Sequence, residues 1–462
     1  MINKIKTKMK KITNLKIIFF FLSTFSIVGL AQPDNVLEQY IRDGLKNNIT
    51  LQQKNVSYEK ALNSLRSATS LFFPSIELQA SYTSGDGGRS IDIPVGDLMN
   101  PVYQTLNQLT GTNTFPQIQN VKENLFPNQF YDFHLRTSMP ILNTDIIFNR
   151  EIESSQLQIK EYEIDLYKRE LIKEIKVAYY NYLSSLEAIK IYQSSLGLAK
   201  EGKRVNESLV KNGAGLPVYI LRSESEIENI NSLLNEAEKK SKSAKRYFNF
   251  LLNRNLDDSV IVDLSDTIDL EIQPGFFSTH SREELKILTS SVEINKSVLS
   301  MNELYWIPKI SGFIDLGAQD ARWNYDKDSR YYLFGFQLNF PVFEGFRNSN
   351  KVEMAELELR NAELELKKIN NAIDLSIQTA RNELENSLQN YESSLKQLKA
   401  AQGYYSLINK GYQEGINSFI ETIDARNQLT TTQILVNINK FKVHIARANY
   451  ERETVLSNIY FE

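Results

Sequence analysis

Four stretches of about ten residues alternate apolar and polar side chains, the signature of a strand with two different faces. In the first, Ile76, Leu78, Ala80 and Tyr82 alternate with Glu77, Gln79, Ser81 and Thr83. In the second, Phe133, Leu135, Thr137 and Met139 alternate with Asp132, His134, Arg136 and Ser138. The third sets Ile310, Gly312, Ile314 and Leu316 against Ser311, Phe313 and Asp315, where Phe313 breaks the pattern. The fourth sets Tyr332, Phe334, Phe336, Leu338 and Phe340 against Gly335, Gln337 and Asn339. Much longer stretches follow a different period. Ile175, Ala178, Tyr182, Ser185, Ile189, Tyr192, Leu196 and Ala199 step alternately by three and four. So do Leu384, Leu388, Tyr391, Leu395, Leu398, Gln402 and Tyr405, and again Ile434, Ile438, Phe441, Ile445 and Ala448. That is the spacing of knobs-into-holes helix packing. Apolar residues off this stripe, such as Val177, Tyr179 and Tyr180, give the helix a second face for a second neighbour.

The whole arrangement occurs twice. Leu71-Phe72-Phe73-Pro74-Ser75-Ile76 is echoed by Leu304-Tyr305-Trp306-Ile307-Pro308-Lys309-Ile310, each a helix end, a proline stop and then alternation. Pro140 is echoed by Pro341, and Gly213 by Gly415, at nearly equal offsets. Each half reads helix, strand, strand, long helix, turn, helix. The first half predicts these over 36–71, 75–84, 130–140, 149–212 and 217–253, and the second over 282–304, 309–318, 331–342, 347–414 and 416–459. At 1.5 Å per residue the two long helices would span about 96 and about 102 Å, far beyond the usual three turns, so each needs a continuous partner. The domain reading is therefore a first repeat over 32–253, a small joining segment over 254–281 and a second repeat over 282–462. The first repeat holds a long surface loop, 85–129, with Pro94, Pro101, Pro116 and Pro127; a connection of that length without structure of its own is usually functional or disordered.

Composition narrows the setting. Residues 1–31 read as an export signal: Lys4, Lys6, Lys8, Lys10, Lys11 and Lys16 precede an apolar run from Ile17, and Gly29-Leu30-Ala31 offers small residues for cleavage. Without them the chain holds 47 basic and 56 acidic residues, a balance of −9 from which no nucleic-acid partner is expected. Cysteine is absent, which excludes disulfides, thiolate metal sites and a catalytic thiol. His134, His280 and His444 fall on separate elements, and no phosphate loop, nucleophile elbow or zinc motif occurs, so no enzyme activity, cofactor or metal is expected. After the signal no apolar run of about 20 residues exists, so the chain either stays in water or crosses a membrane as strands. Four strands cannot close a barrel alone, and lipid offers an open sheet edge no hydrogen bonds. If they are membrane strands, the chain must oligomerise, and three copies would supply twelve.

At this point the chain resembles the TolC-like outer-membrane efflux proteins, across its whole length after the signal. The resemblance rests on the repeat, the proline-punctuated hairpins and the second helix turn. That turn reads Tyr412-Gln413-Glu414-Gly415-Ile416-Asn417-Ser418-Phe419-Ile420-Glu421-Thr422-Ile423-Asp424-Ala425, similar to the family's aromatic, glycine, polar, acid, Asp-Ala pattern. The long loop resembles an elaboration of Bacteroidetes-type members. The resemblance implies a mainly α fold with a membrane β-barrel, four strands and four helical rods per protomer, and a homotrimer with a twelve-strand barrel and a twelve-helix periplasmic tunnel. It implies a passive exit duct in the outer membrane, serving tripartite efflux or type I secretion. Outer-membrane lipid, a periplasmic adaptor and an inner-membrane transporter are the implied partners.

The resemblance also implies roles at the helix turns. Glu421 and Asp424, three apart on one helix face, would form a ring of carboxylates at a periplasmic gate; on the residues alone they equally suit a solvated helix start. Tyr412 matches the family's gate tyrosine. Asn417 stands where an arginine is expected, and Tyr219 where an acid is expected, so the resemblance leaves the lock of the closed state open, with a Tyr–Tyr contact or an inter-protomer bond as the alternatives to a charged pair. Gly213, Gly215 and Gly415 mark the turns that would meet the adaptor. The remaining alternative is a secreted or periplasmic coiled-coil structural or adhesion protein without a channel.

Overall fold

The computed structural model of the chain describes residues 36–85, 87–125, 129–262, 282–321, 323 and 325–455. The proposed signal, 1–31, and most of the joining segment lie outside them. In the first half α1 (Val36–Asn47) and α2 (Ile49–Ser70) lead to β1 (Ser75–Thr83). Then come β2 (Ser90–Ile93), α3 (Val95–Thr110), β3 (Val121–Asn124), β4 (Phe130–Leu142), α4 (Thr144–Lys211) and α5 (Pro217–Leu251). The second half runs α6 (Glu283–Glu303), a short 3-10 turn (Leu304–Trp306), β5 (Lys309–Ala321), β6 (Arg330–Asn339), α7 (Arg347–Gln413) and α8 (Phe419–Thr454). Among the described residues, no helix is long and apolar enough to cross a membrane.

Three expectations need correction. The segment 85–129 is not a structureless loop: it folds as β2, α3 and β3, so six strands rather than four occur among the described residues. Four prolines made it read as a loop, yet Pro94 caps α3 and Pro101 is accommodated within it. The first helix is two, interrupted at Asn48. There the Asn48 side chain accepts from Leu51 N and Tyr167 Oη (both 3.1 Å) and donates to Leu251 O (3.1 Å). The seam of α7 also departs from expectation at two positions: Ser394 and Ala401 are buried, whereas Leu395 and Gln402 are exposed, while Leu398 and Tyr405 keep their half-buried places. Ser394 can be buried because its hydroxyl donates to Tyr391 O (2.7 Å).

The chain forms two compact units. One comprises 53–165 and 280–372 and contains the sheets. Its main sheet has the order β1-β4-β5-β6, every pair antiparallel. Opposed residues in such a ladder point to the same face. One row therefore aligns Leu78, Leu135, Leu316 and Tyr332, and the next aligns Ile76, Thr137, Ile314 and Phe334. Nearly all these apolar side chains, with Phe133, Met139, Phe336 and Leu338, are exposed. Trp323 stacks between Tyr82 (5.6 Å) and Tyr131 (5.2 Å) at one end of this face.

The other unit comprises the described parts of 1–52, 166–279 and 373–462 and is helical. Its largest core joins Leu37, Tyr40 and Ile41 of α1 with Leu171, Ile175, Tyr179 and Leu183 of α4, and with Phe248, Leu251 and Leu252. Each of these large side chains contributes roughly 1.5–3 kcal/mol by leaving water. Gly44 lets α1 approach α4, since a Cβ there would lie 2.4 Å from Ile175 Cδ1. Val260 and Val262 pack on this core. A second core joins Ala380, Leu384 and Leu388 of α7 with Val443, Ala446 and Tyr450 of α8. α8 also buries Phe441 in the first core, so one helix serves two neighbours.

Candidate functional site

The two helix turns are built alike. At the first, Gly213 N donates to Val210 O (3.1 Å) and Ala214 N to Leu209 O (2.9 Å). At the second, Gly415 N donates to Tyr412 O (3.1 Å) and Ile416 N to Gly411 O (2.7 Å). Both are Schellman ends, whose penultimate residue takes a left-handed backbone. Gly213 at φ 74° and Gly415 at φ 76° supply it. Gly215 serves a different purpose: a Cβ there would meet the α4 backbone at 2.8 Å.

The first turn of α8 carries the candidate acids. Ser418 Oγ accepts from Glu421 N (3.3 Å), and Glu421 Oε2 accepts from Ser418 N (2.7 Å), a reciprocal capping box. Asn417 Nδ2 also donates to Glu421 Oε2 (3.2 Å). The Ser418 N–H, and then Asn417, hold the Glu421 carboxyl below its ordinary range. Glu421 and Asp424 are both exposed, while Thr422, Ile423, Ala425 and Arg426 are buried. The two carboxylates thus point away from the protomer's own core.

A neutral network ties the two hairpins together. Tyr412 Oη donates to Asn206 Oδ1 (2.7 Å), Asn206 Nδ2 to Ser223 Oγ (3.2 Å), and Ser223 Oγ to Tyr219 O (2.8 Å). Tyr219 and Tyr412 are linked through a third ring. Buried Phe419 sits against both, with ring centroids 5.4 and 5.7 Å away. Burial raises the Tyr412 phenol above its ordinary value, so it stays a neutral donor. Two turns further along α8 from Phe419, buried Arg426 faces buried Glu226 of α5 at 3.6 Å. Desolvation depresses the Arg426 guanidinium. Asn206, Glu226 and Arg426 escaped sequence reasoning: each is a polar residue in a polar-rich helix, and only packing shows that it is buried.

The sheet's second face is polar and organised. Arg136 donates twice to buried Asp315 (2.8 and 2.6 Å) and lies 5.0 Å above the Phe313 ring. Phe313, which broke the alternation, covers Gly335, where a Cβ would come within 2.9 Å of its ring. Tyr331 Oη donates to Asp132 (2.8 Å), which also meets His134 Nδ1 at 3.1 Å. Gly317 leaves room beneath this bridge, since a Cβ there would lie 2.5 Å from His134 Cβ. Among the described residues β1 and β6 each have only one neighbouring strand.

Residues 301–449 match the outer membrane efflux protein family. No curated protein matches the chain by sequence. In solved structures the fold is that of VceC, an outer membrane protein of Vibrio cholerae: TM-score 0.74, 12% identity, over 90% of this chain and 95% of that one. The CmeC outer membrane channel of Campylobacter jejuni gives 0.72 at 15% identity, over 91% and 85%. The MtrE outer membrane channel of Neisseria gonorrhoeae, solved in its open state, gives 0.74 at 14% identity, over 90% and 88%. The chain shares the fold of these three proteins.

Proposed function

We propose that this chain is one protomer of an outer-membrane efflux duct, with its sheet in the membrane and its helical tunnel in the periplasm. The two-faced sheet with unpaired edges carries this reading. The exposed apolar face (Leu78, Leu135, Leu316, Phe334, Phe336) suits lipid, and the opposite face (Arg136–Asp315, Asp132–His134–Tyr331) suits a hydrated lumen. Lipid cannot satisfy the free edges of β1 and β6, so a neighbouring copy must. Three copies of the four-strand sheet make a twelve-strand barrel. A secreted coiled-coil protein would have no use for the exposed apolar band.

The same reading gives roles to the turns. Glu421 and Asp424 of three copies would set six carboxylates around the axis, favouring cations. Tyr412 and Tyr219, bridged by Phe419 and Asn206, would hold the gate shut with neutral hydrogen bonds in place of a charged lock. Asn417 braces Glu421 instead of pairing with a neighbour's acid. The turns at Gly213, Gly215 and Gly415 would receive a periplasmic adaptor, with an inner-membrane transporter supplying energy and substrate. Light scattering on detergent-extracted protein tests the assembly: a mass of three chains is expected, and a stable single chain would overturn the barrel.

A further inference from the structure

The β2–α3–β3 segment is anchored on one side and bare on the other. Asn100 and Asn107, seven apart on α3, clamp the chain that follows. Asn100 exchanges two hydrogen bonds with Ile118 (2.9 and 2.9 Å), and Asn107 two with Phe115 (2.8 and 3.1 Å). Tyr103 packs on Phe115 (5.6 Å), and Gly96 admits the Ile118 carbonyl, which a Cβ would approach to 2.5 Å. The other side of α3 presents Leu98, Val102, Thr105 and Leu109, which step by four, three and four. Leu98, Val102 and Leu109 are 69%, 48% and 78% exposed. This is a coiled-coil seam with no partner among the described residues of its own chain.

The chemistry of the seam selects its occupant. The one charge on α3 is Asp97, held by Asn120 Nδ2 at 2.9 Å in the first turn. A helix lying on an anionic lipid surface carries Lys and Arg beside its apolar face, and α3 has neither. A rotationally symmetric contact places each residue near its own copies, where charge would repel. A neutral seam tolerates that contact. The segment springs from the end of β1, an edge strand of the four-strand sheet.

We propose that the α3 helices of the three copies pack on one another through Leu98, Val102, Thr105 and Leu109, forming a plug over the outer mouth of the barrel. This rests on the trimeric-duct reading. The chain has no cysteine of its own, so introduced thiols report cleanly. Full-length Leu109→Cys and Gln104→Cys proteins, extracted in detergent, are treated with a trifunctional maleimide, and light scattering fixes the mass of the untreated samples. Gln104 lies on another face of α3. Covalent trimer should form roughly tenfold more from Leu109→Cys, because the seam raises the local thiol concentration. Equal cross-linking in a sample that scatters as a trimer overturns the plug and leaves the duct standing. A sample that scatters as single chains overturns the duct reading itself. A fluorophore attached to the introduced thiol of Leu109→Cys gives a further check. Its quenching by lipid-borne quenchers, without cross-linking, makes lipid the occupant and overturns the plug.

Discussion

The buried Arg426–Glu226 pair makes the sharpest energetic prediction, because its single and double replacements should differ in sign. Both side chains are buried and their charged atoms stand 3.6 Å apart. Among the described residues Arg426 Nε and Nη2 and Glu226 Oε1 have no hydrogen-bond partner. The attraction therefore repays the desolvation of two ions only in part. Arg426→Met leaves an uncompensated carboxylate and should cost about 3–5 kcal/mol. Arg426→Met combined with Glu226→Leu removes both ions and should be neutral or stabilising by about 1–4 kcal/mol. Amide hydrogen exchange reads this locally. Slow amides of α5 and α8 around these residues should exchange on the order of 10²- to 10³-fold faster in the single variant, since each 1.4 kcal/mol is tenfold. In the double variant they should exchange at the parental rate or slower. A double variant as labile as the single one would mean instead that the pair is a net source of stability.

Gly415→Ala forces a side chain into a left-handed backbone at φ 76° and should cost about 1–2 kcal/mol locally, seen as faster amide exchange at 411–419. Apolar side chains occupy the even positions of β1 and β6, so barrel closure must pair even with even and odd with odd. Glu77→Cys should then form an inter-chain disulfide with a cysteine at Leu333, Gly335 or Gln337, and not with one at Phe334 or Phe336. The Glu421 carboxyl titrates below its ordinary value of 4.5 in the folded chain, so its bond to Ser418 N is complete above that pH and is lost as pH falls through the lower folded value. Exchange of the Ser418 amide, corrected for intrinsic rate, should therefore accelerate on acidification, and Glu421→Gln should abolish the dependence.

Much of the fold was legible because period and punctuation agree. The strands announced themselves by alternation, and Gly213 and Gly415 by their positions at matching turns. Phe313 broke the alternation for a reason no single strand reveals: Gly335, on the next strand, leaves the space its ring fills. The α7 seam misled because Leu395 is apolar and Ser394 is not, yet Ser394 is the buried one, its hydroxyl satisfied by Tyr391 O. The 85–129 segment hid its helix because Pro101 reads as a breaker, and the Asn100 and Asn107 clamps act through backbone atoms of 115–118. At the turns, sequence singled out Tyr412, Glu421 and Asp424 as candidates, but the bond of Tyr412 to Asn206 and that of Glu421 to Ser418 depend on three-dimensional neighbours.

The proposed function makes this chain part of a conducting outer-membrane duct, gated at the second helix turn. Single-channel recording in a planar bilayer tests it most directly, comparing the parent with Glu421→Gln/Asp424→Asn. The parent should open a cation-preferring conductance blocked by multivalent cations. The double variant, stripped of six charges per trimer in a region where lumen charges are poorly screened, should lose most of that preference and bind the blocker more weakly. No conductance from a folded trimer would contradict the duct, and unchanged selectivity and block in the double variant would contradict the gate.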